Sequence, residues 1–349
     1  MKYSFIVPVY NRPDEVRELL ESLTTQQKKD FEVIVVEDGS SLPCSDVCKQ
    51  FQDKLDIHYF VKPNSGPGQS RNYGVERAQG EYMLILDSDV VVPPGYLQAV
   101  DDELHREPCD AFGGPDRAHA SFTDKQKAIS YSMTSFFTTG GIRGGKKKLD
   151  KFYPRSFNMG VRREVYMQLG GFSKMRFGED IDFSIRIFKG GYRCRLFPEA
   201  WVWHKRRTDF HKFWRQVFNS GIARINLYMK YPESLKAVHL LPAVFTIGII
   251  LLSLLLVLGV VNCLFGTTHM QGAFGLACLE ISLIPTAVYS LLILINSSVQ
   301  NRSLKVGVLS IAAAFIQLMG YGCGFLKAFW RRIVCGKDEF EAYKKNFYK

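Results

Sequence analysis

Tyr82-Met83-Leu84-Ile85-Leu86-Asp87-Ser88-Asp89 is a run of five apolar or aromatic residues closed by two carboxylates one residue apart. Strands this apolar suit a parallel sheet covered on both faces. Upstream, Phe5–Val9 ends in Tyr10-Asn11, Phe31–Val36 ends in Glu37-Asp38-Gly39-Ser40, and Ile57–Val61 forms a third run of the same kind. Between them, residues 13–27 carry Val16, Leu19, Leu20 and Leu23 at helical spacing, with Pro13, Asp14 and Glu15 favouring helix initiation. Gln69–Ala78 reads as another helix. Strand–helix alternation predicts an α/β fold, doubly wound on a mostly parallel sheet. Ligands of such sheets sit beyond the carboxyl ends of the strands, where Tyr10-Asn11, Glu37-Asp38 and Asp87/Asp89 fall.

An isolated Asp-x-Asp is commonly a turn or a helix cap. At the end of a buried strand, a carboxylate pair is costly unless something positive is bound. Two such groups suit a hard divalent cation, and Mg²⁺ held this way shares phosphate oxygens with its substrate. There is no phosphate-cradling loop of the Walker kind and no Gly-x-Gly-x-x-Gly after the first strand, which argues against kinases and dinucleotide dehydrogenases. Asn64-Ser65-Gly66-Pro67-Gly68 is Gly-rich but follows the third strand, where a plain loop is an equal reading.

Pro8-Val9-Tyr10-Asn11, Glu37-Asp38-Gly39-Ser40, Asn64-x-Gly66 with Arg71-Asn72-x-Gly74, Gly80-Glu81-Tyr82 and Asp87-Ser88-Asp89 come in a definite order. Phe157-Asn158-Met159-Gly160, Leu169-Gly170-Gly171-Phe172 and Gly178-Glu179-Asp180-x-Asp182 follow. In order and spacing this resembles the family 2 glycosyltransferases over about residues 3–207. The resemblance implies a GT-A fold, a nucleoside-diphosphate sugar donor, a divalent metal (Mg²⁺ or Mn²⁺) and inversion at the anomeric carbon. Carried onto this chain, it places Pro8, Tyr10, Asn11, Glu37 or Asp38, Arg71 and Asp87 around the nucleotide. It makes Asp89 the main metal ligand, with Asp87 beside it, and Asp180 the general base. Glu179 and Asn158 then lie near the acceptor or sugar. The family usually has Asp where this chain has Glu37, which changes the reach of that carboxylate. His204 matches a position that in similar enzymes completes the metal shell or touches the diphosphate; a structural histidine is the competing reading.

Chemistry supports Asp180 independently. Inverting transfer needs a base on the face opposite the departing diphosphate, and cations for the departing charge. Ile181, Ile185 and Phe188 follow at helical spacing, so Glu179-Asp180 opens a helix; a charge cluster favoured by the helix dipole is the plainer reading.

Further on, Lys205-Arg206-Arg207 suits phosphate of donor or lipid, or a solvated patch. Phe210, Phe213, Trp214, Val217 and Phe218 recur at helical spacing with Lys212 and Arg215 between them. That pattern suits an amphipathic helix in the membrane interface, over 208–238, with packing under the catalytic domain as the alternative. Lys212-Phe213-Trp214-Arg215-Gln216 is not the Gln-x-x-Arg-Trp signature of the family's processive synthases, so single-sugar addition is expected. Gly140–Lys148 reads as a mobile loop near the acceptor side, its basic run either meeting anionic headgroups or a lipid phosphate or simply solvated.

The 349 residues carry 45 Lys+Arg against 34 Asp+Glu, a net charge of +11, with a mean hydropathy of −0.06. That average joins unlike parts. Residues 1–238 hold 36 basic and 30 acidic side chains, and residues 239–349 only 9 and 4. Leu240–Phe265 and Val306–Leu326 lack formal charge and are long enough to cross ~30 Å of hydrocarbon at ~1.5 Å per residue. Ala273–Ile295 holds Glu280 and Pro285; it is a span with Glu280 turned to neighbouring helices, or a re-entrant hairpin broken at Pro285. Two to three helices are therefore expected over 239–332, with a basic tail over 333–349. With no basic-then-apolar leader before Tyr3, the catalytic domain is expected on the cytoplasmic side of an inner (plasma) membrane that the chain crosses more than once. Loop 266–272 lacks Lys and Arg and fits the outer face, and loop 296–305 has Arg302 and Lys305 and fits the inner. Three crossings would then put the basic tail outside, against the rule; either the tail is an exception or one run does not span. Cys44 and Cys48 lack a second Cys/His pair at zinc spacing.

The expected protein is a membrane-anchored, metal-dependent enzyme that moves a sugar, from a UDP-linked rather than a GDP-linked donor, to an acceptor at the membrane face. A lipid-linked glycan or polyprenyl phosphate is the first acceptor to consider. The alternatives are a processive polysaccharide synthase and a non-catalytic nucleotide-sugar-binding subunit of a glycan-assembly complex. Membrane lipids are expected partners and nucleic acid is not, because no basic–aromatic binding motif accompanies the charge.

Overall fold

The structure, a computed structural model, describes residues 1–117, 122–139, 152–175, 177–205 and 209–338. These residues divide into two units: 1–117 with 152–175 and 177–205, and 122–139 with 209–338.

In chain order the first unit runs β1 (Tyr3–Val9), α1 (Pro13–Thr24), β2 (Phe31–Asp38), α2 (Ser45–Lys49), β3 (Ile57–Lys62), α3 (Pro67–Arg77), β4 (Tyr82–Leu86), β5 (Val90–Val91), α4 (Tyr96–Arg106), β6 (Ala111–Gly113) and β7 (Asp116–Arg117). After α5 (Asp124–Thr134) and α6 (Phe136–Thr139) of the second unit come β8 (Asn158–Arg162), α7 (Arg163–Gln168), α8 (Glu179–Lys189), β9 (Cys194–Leu196) and β10 (Val202–His204). The main sheet has the order β3-β2-β1-β4-β8-β6-β9. β1, β2, β3 and β4 pair in parallel, whereas β8 enters antiparallel to both β4 and β6.

Alternation along each strand splits the core in two. Phe5, Val7, Val33, Val35, Leu84 and Leu86 meet Leu19, Leu20 and Leu23 of α1 and Leu97 and Val100 of α4. Ile6, Ile34, Val36, Met83 and Ile85 meet Val75 of α3, Tyr166 of α7 and Phe183 and Ile187 of α8. The doubly wound expectation holds. β2 runs two residues further than the apolar pattern predicts, because Glu37 and Asp38 are buried and continue the ladder against β3. At the close of that strand, Gly39 has φ +70°, and a Cβ there would stand 2.8 Å from the Asn64 nitrogen.

In the second unit, α9 (Phe210–Lys230), α10 (Leu241–Phe265), α11 (His269–Asn301) and α12 (Leu304–Phe329) follow one another. Three stretches, Ala237–Phe265, His269–Asn301 and Leu304–Val334, are long and apolar enough to cross a membrane. Pro285 lies inside one continuous α11, so the broken-hairpin alternative is not what forms. The expectation that Glu280 faces neighbouring helices is corrected. Gly275, Cys278 and Ser282 form the buried face of α11, and Glu280, two residues from Cys278, falls on the opposite, exposed side. The region 1–207 is also interrupted: Ala128, Ile129 and Met133 of α5 pack with Phe213, Val217, Val306 and Ala313 in the second unit. The loop Gly140–Lys148, Arg206-Arg207 and residues 339–349 of the tail lie outside the described residues.

Candidate active site

Parallel pairing of β1 with β2 and β4 brings their carboxyl ends to one edge. A second sheet, of order β5-β10-β7, completes that edge. β10 pairs antiparallel with β5, His204 standing opposite Val90, and the Lys205 amide donates to the Asp89 carbonyl at 3.1 Å. This short ladder carries His204, more than a hundred residues away in sequence, onto Asp89.

His204 Nε2 lies 3.3 Å from Asp89 Oδ1, and Arg12 Nη1 lies 2.5 Å from Oδ2. The His204 ring stacks on Phe157, with centroids 4.9 Å apart. Burial works against ionising Asp89, but His204 and Arg12 outweigh it and hold the carboxyl well below the usual range. One ligand atom each from Asp87, Asp89 and His204 lies within 4.8 Å of the others. Two carboxylates and an imidazole at that spacing fit a divalent cation such as Mn²⁺ or Mg²⁺.

Arg71 of α3 links this cluster to the start of α8. It is 3% exposed, and its guanidinium donates to Asp87 Oδ1 at 2.7 Å and to Glu179 Oε1 at 3.1 Å. Gly178, at φ +83°, turns the chain into α8, whose first turn holds Glu179, Asp180 and Asp182. Asp180 Oδ2 accepts from Arg155 Nε at 2.6 Å, and Oδ1 from the Ile181 amide at 2.8 Å. Burial raises both carboxyls, but their neighbours separate them. Arg155, the Ile181 amide and Arg71 bring Asp180 below its ordinary value. For Glu179, burial and the Asp180 charge prevail over Arg71 and push it up to about 7. Asp182 is buried in a pair with Arg186 at 2.9 Å.

The structure thus brings together Asp87, Asp89, His204, Arg71, Glu179 and Asp180. It gives other sequence-derived candidates different surroundings. Glu37 accepts from Ser40 Oγ, from the Cys44 amide at 2.8 Å and from Tyr59 Oη at 3.1 Å. Asp38 accepts from the Ser65 and Gly66 amides at 2.9 and 2.8 Å and pairs with Lys62. Strand parity explains the split, since Glu37 follows Val33 and Val35 to one face and Asp38 follows Ile34 and Val36 to the other. Asn11, at φ +54°, accepts from the Ser41 and Leu42 amides and shapes the turn after β2. Asn158 is buried, accepting from Tyr96 Oη at 2.7 Å and donating to the Ala200 carbonyl at 2.8 Å. Pro8 lies in β1, and Tyr10 is 47% exposed just beyond it. Sequence reasoning missed Arg12 and Arg155. The available signal was position: Arg12 directly follows Tyr10-Asn11, and Arg155 stands two residues before Phe157-Asn158.

Comparison with known proteins agrees with this geometry. Residues 4–170 match the family described as glycosyl transferase family 2. Residues 4–170 thus carry a family 2 glycosyltransferase match, and the α/β unit to which most of them belong has the GT-A fold. It is 28% identical to the probable glycosyltransferase YdaM of Bacillus subtilis (strain 168) over 238 residues, 65% of this chain and 56% of that protein. It is 41% identical over 114 residues to the poly(ribitol-phosphate) beta-N-acetylglucosaminyltransferase TarS of Staphylococcus aureus (strain Mu50), 31% of this chain and 20% of that one. The match therefore spans about half of the first relative and a fifth of the second. Among solved structures, the mannosyltransferase PcManGT from Pyrobaculum calidifontis, in complex with GDP-Man and Mn²⁺, has a TM-score of 0.58 at 15% identity. The likeness covers 95% of this chain and 88% of that one, and shows the fold.

Proposed function

We propose that the chain is a metal-dependent, inverting glycosyltransferase that moves a sugar from a nucleoside diphosphate to an acceptor at the cytoplasmic face of a membrane. The observation that carries this reading is the continuous chain of charge from Asp89 and His204 through Asp87 and Arg71 to Glu179 and Asp180. It joins a cation site to a buried, ionised carboxylate, the two ends that displacement of a diphosphate requires.

Asp87, Asp89 and His204 would hold the divalent ion, which when bound supplies positive charge to the departing diphosphate. Arg12 and Arg71 line the same edge and add fixed cations. Asp180 stays ionised at neutral pH and accepts the proton of the attacking hydroxyl. Arg155 and the Ile181 amide fix its orientation before the acceptor arrives. Glu179, held against Arg71, lies beside it on the acceptor side. Tyr10 and Pro8 would border the nucleoside, and Glu37, Asp38 and Asn11 would act by shaping the loops around it. Asn158 would hold the sugar side of the pocket in place through Tyr96 and Ala200.

TarS, whose name gives N-acetylglucosaminyl transfer, supports a nucleotide-sugar donor and makes a UDP-linked N-acetylhexosamine the first one to test, ahead of GDP-linked sugars. The apolar helices support an acceptor at the bilayer, and a polyprenyl-phosphate-linked glycan is the first choice. The test is a donor screen with the purified full chain, Mn²⁺ or Mg²⁺, and membrane lipid extract. Turnover should require the metal, and Asp180→Asn should lower it ~10²–10⁴-fold while donor still binds. If no nucleotide sugar is bound or turned over, the enzymatic reading fails. Full activity in Asp180→Asn would move the base elsewhere.

A further inference from the structure

We propose that only α10 and α11 cross the bilayer. In this arrangement α12, despite its apolar length, lies in the membrane interface beside α9 and α5, against the headgroups of one leaflet. The inference concerns membrane placement and is independent of the reaction.

The hairpin supplies a depth scale. Gly259 of α10 packs on the backbone of Gly275 in α11, and the Phe245 and Tyr289 rings lie 5.5 Å apart. Residues 245 and 289 are therefore level, near the end of the hairpin where α10 begins. α12 starts beside the last turns of α11, with Gly307 against the Leu294 carbonyl and Ser310 Oγ 2.7 Å from Ser297 Oγ. Phe315 then meets both Phe245 and Tyr289, at 5.7 Å from each. Seven residues later, Gly322 sits against Pro242 and Thr246, with no room for a Cβ. From 307 to 322 a helix advances ~22 Å along its axis. A helix crossing in step with α10 would by then lie well past Phe245. Instead α12 has reached the first turn of α10, so it runs across the end of the hairpin.

α9 makes the same point. Val217 packs on Gly320, Phe218 on Gly324 and Gly221 on Tyr321 and Phe325, while Arg332 donates to Asn226 at 2.5 Å. α9 and α12 thus run side by side in one direction over about three turns, so the two share one orientation in the membrane. α9 exposes His211, Lys212, Arg215 and Ser220 towards its N-terminal end, a face that suits lipid headgroups. Burial separates the helices likewise: 44% of the most apolar window of the Leu304–Val334 stretch is covered by protein, against 11% for α10 and 17% for α11.

This placement brings Lys327, Arg331, Arg332 and Lys337 to the face that already holds Arg302 and Lys305. The far face keeps only the turn at 266–268, which lacks Lys and Arg. The conflict between three crossings and the positive-inside rule disappears. Trp330, 62% exposed at the end of α12, suits the interface as well.

Cys335 is an exposed native thiol just beyond α12, and Cys263 is changed to serine to remove the other exposed one. The full chain in vesicles of known orientation is treated with a membrane-impermeant maleimide. Thr267→Cys and Gln300→Cys, each with Cys335→Ser, mark the two faces. Labelling of Cys335 from the side that labels Gln300→Cys is the expected result. Labelling from the side of Thr267→Cys would establish a third crossing and overturn the proposal. Trypsin cleavage after Lys337 gives a second readout on the unsubstituted chain. Cutting from the 300 side supports the in-plane helix, and cutting from the 267 side overturns it.

Discussion

Asp180 and Glu179 are neighbours in sequence, yet their surroundings push their proton affinities apart. Burial raises both, and on Glu179 the Arg71 guanidinium does not offset burial and the Asp180 charge, whereas Asp180 is brought down by the Arg155 guanidinium and the Ile181 amide. Arg155→Gln removes the first of these, so the acid limb of the pH–rate profile should move to higher pH while donor affinity changes little. Glu179 makes a second prediction through stability. Its folded value of about 7 lies above its unfolded value, so the folded state binds the extra proton. Its contribution is present at acid pH and is lost as pH rises through about 7. Thermal unfolding should show Tm falling between pH 5 and pH 8, and Glu179→Gln should flatten that fall. An unchanged slope would remove Glu179 as its source. Asp89→Asn should weaken Mn²⁺ binding, measured by calorimetry without any sugar, at least tenfold, because it deletes the most buried carboxylate of the cation site.

At the scale of elements, close approach of backbones decides more than side-chain size. Gly160 of β8 lets the Phe112 ring lie flat across the sheet, where it stacks on Phe197 at 4.3 Å. Gly320 and Gly324 let α9 settle onto α12. Gly324→Leu forces a side chain into the Phe218 backbone, and should cost about 1–3 kcal/mol through overpacking. The measurement is thermal unfolding in detergent. Val308→Leu, at an exposed site on the same helix, should leave Tm nearly unchanged.

For the whole molecule, the near-zero mean hydropathy is an average over a charged α/β unit and a helical unit whose hairpin exposes Leu251, Leu254, Ile281 and Ile284. A surface this apolar is one that lipid, detergent or a protein partner covers. The chain should remain with membranes through an alkaline carbonate wash, and release by that wash would contradict an embedded hairpin. The net charge of +11 is likewise an average over unlike parts. Within the α/β unit many of the cations are paired with carboxylates, and those around α9 and α12 lie where headgroups would meet them.

By itself the sequence determined the α/β unit, its acidic edge and the apolar helices. Each depends on local patterning: period-2 strands, period-3.6 helices, and carboxylates where apolar runs stop. Asp87, Asp89, Arg71, Glu179, Asp180 and His204 were legible for that reason and from the order of their motifs. Tertiary structure alone decided which cation met which carboxylate. Arg12 and Arg155 are distant in sequence from their partners, and chain order carries no record of contacts made by sheet crossover. It also decided that Glu37, Asp38, Asn11 and Asn158 hold loops and strands together, because strand parity and hydrogen-bond partners appear only once neighbouring chains are in register. The direction of α12 belongs there too. Its composition permits a crossing, and its packing against α9 and the first turn of α10 is what turns it along the surface.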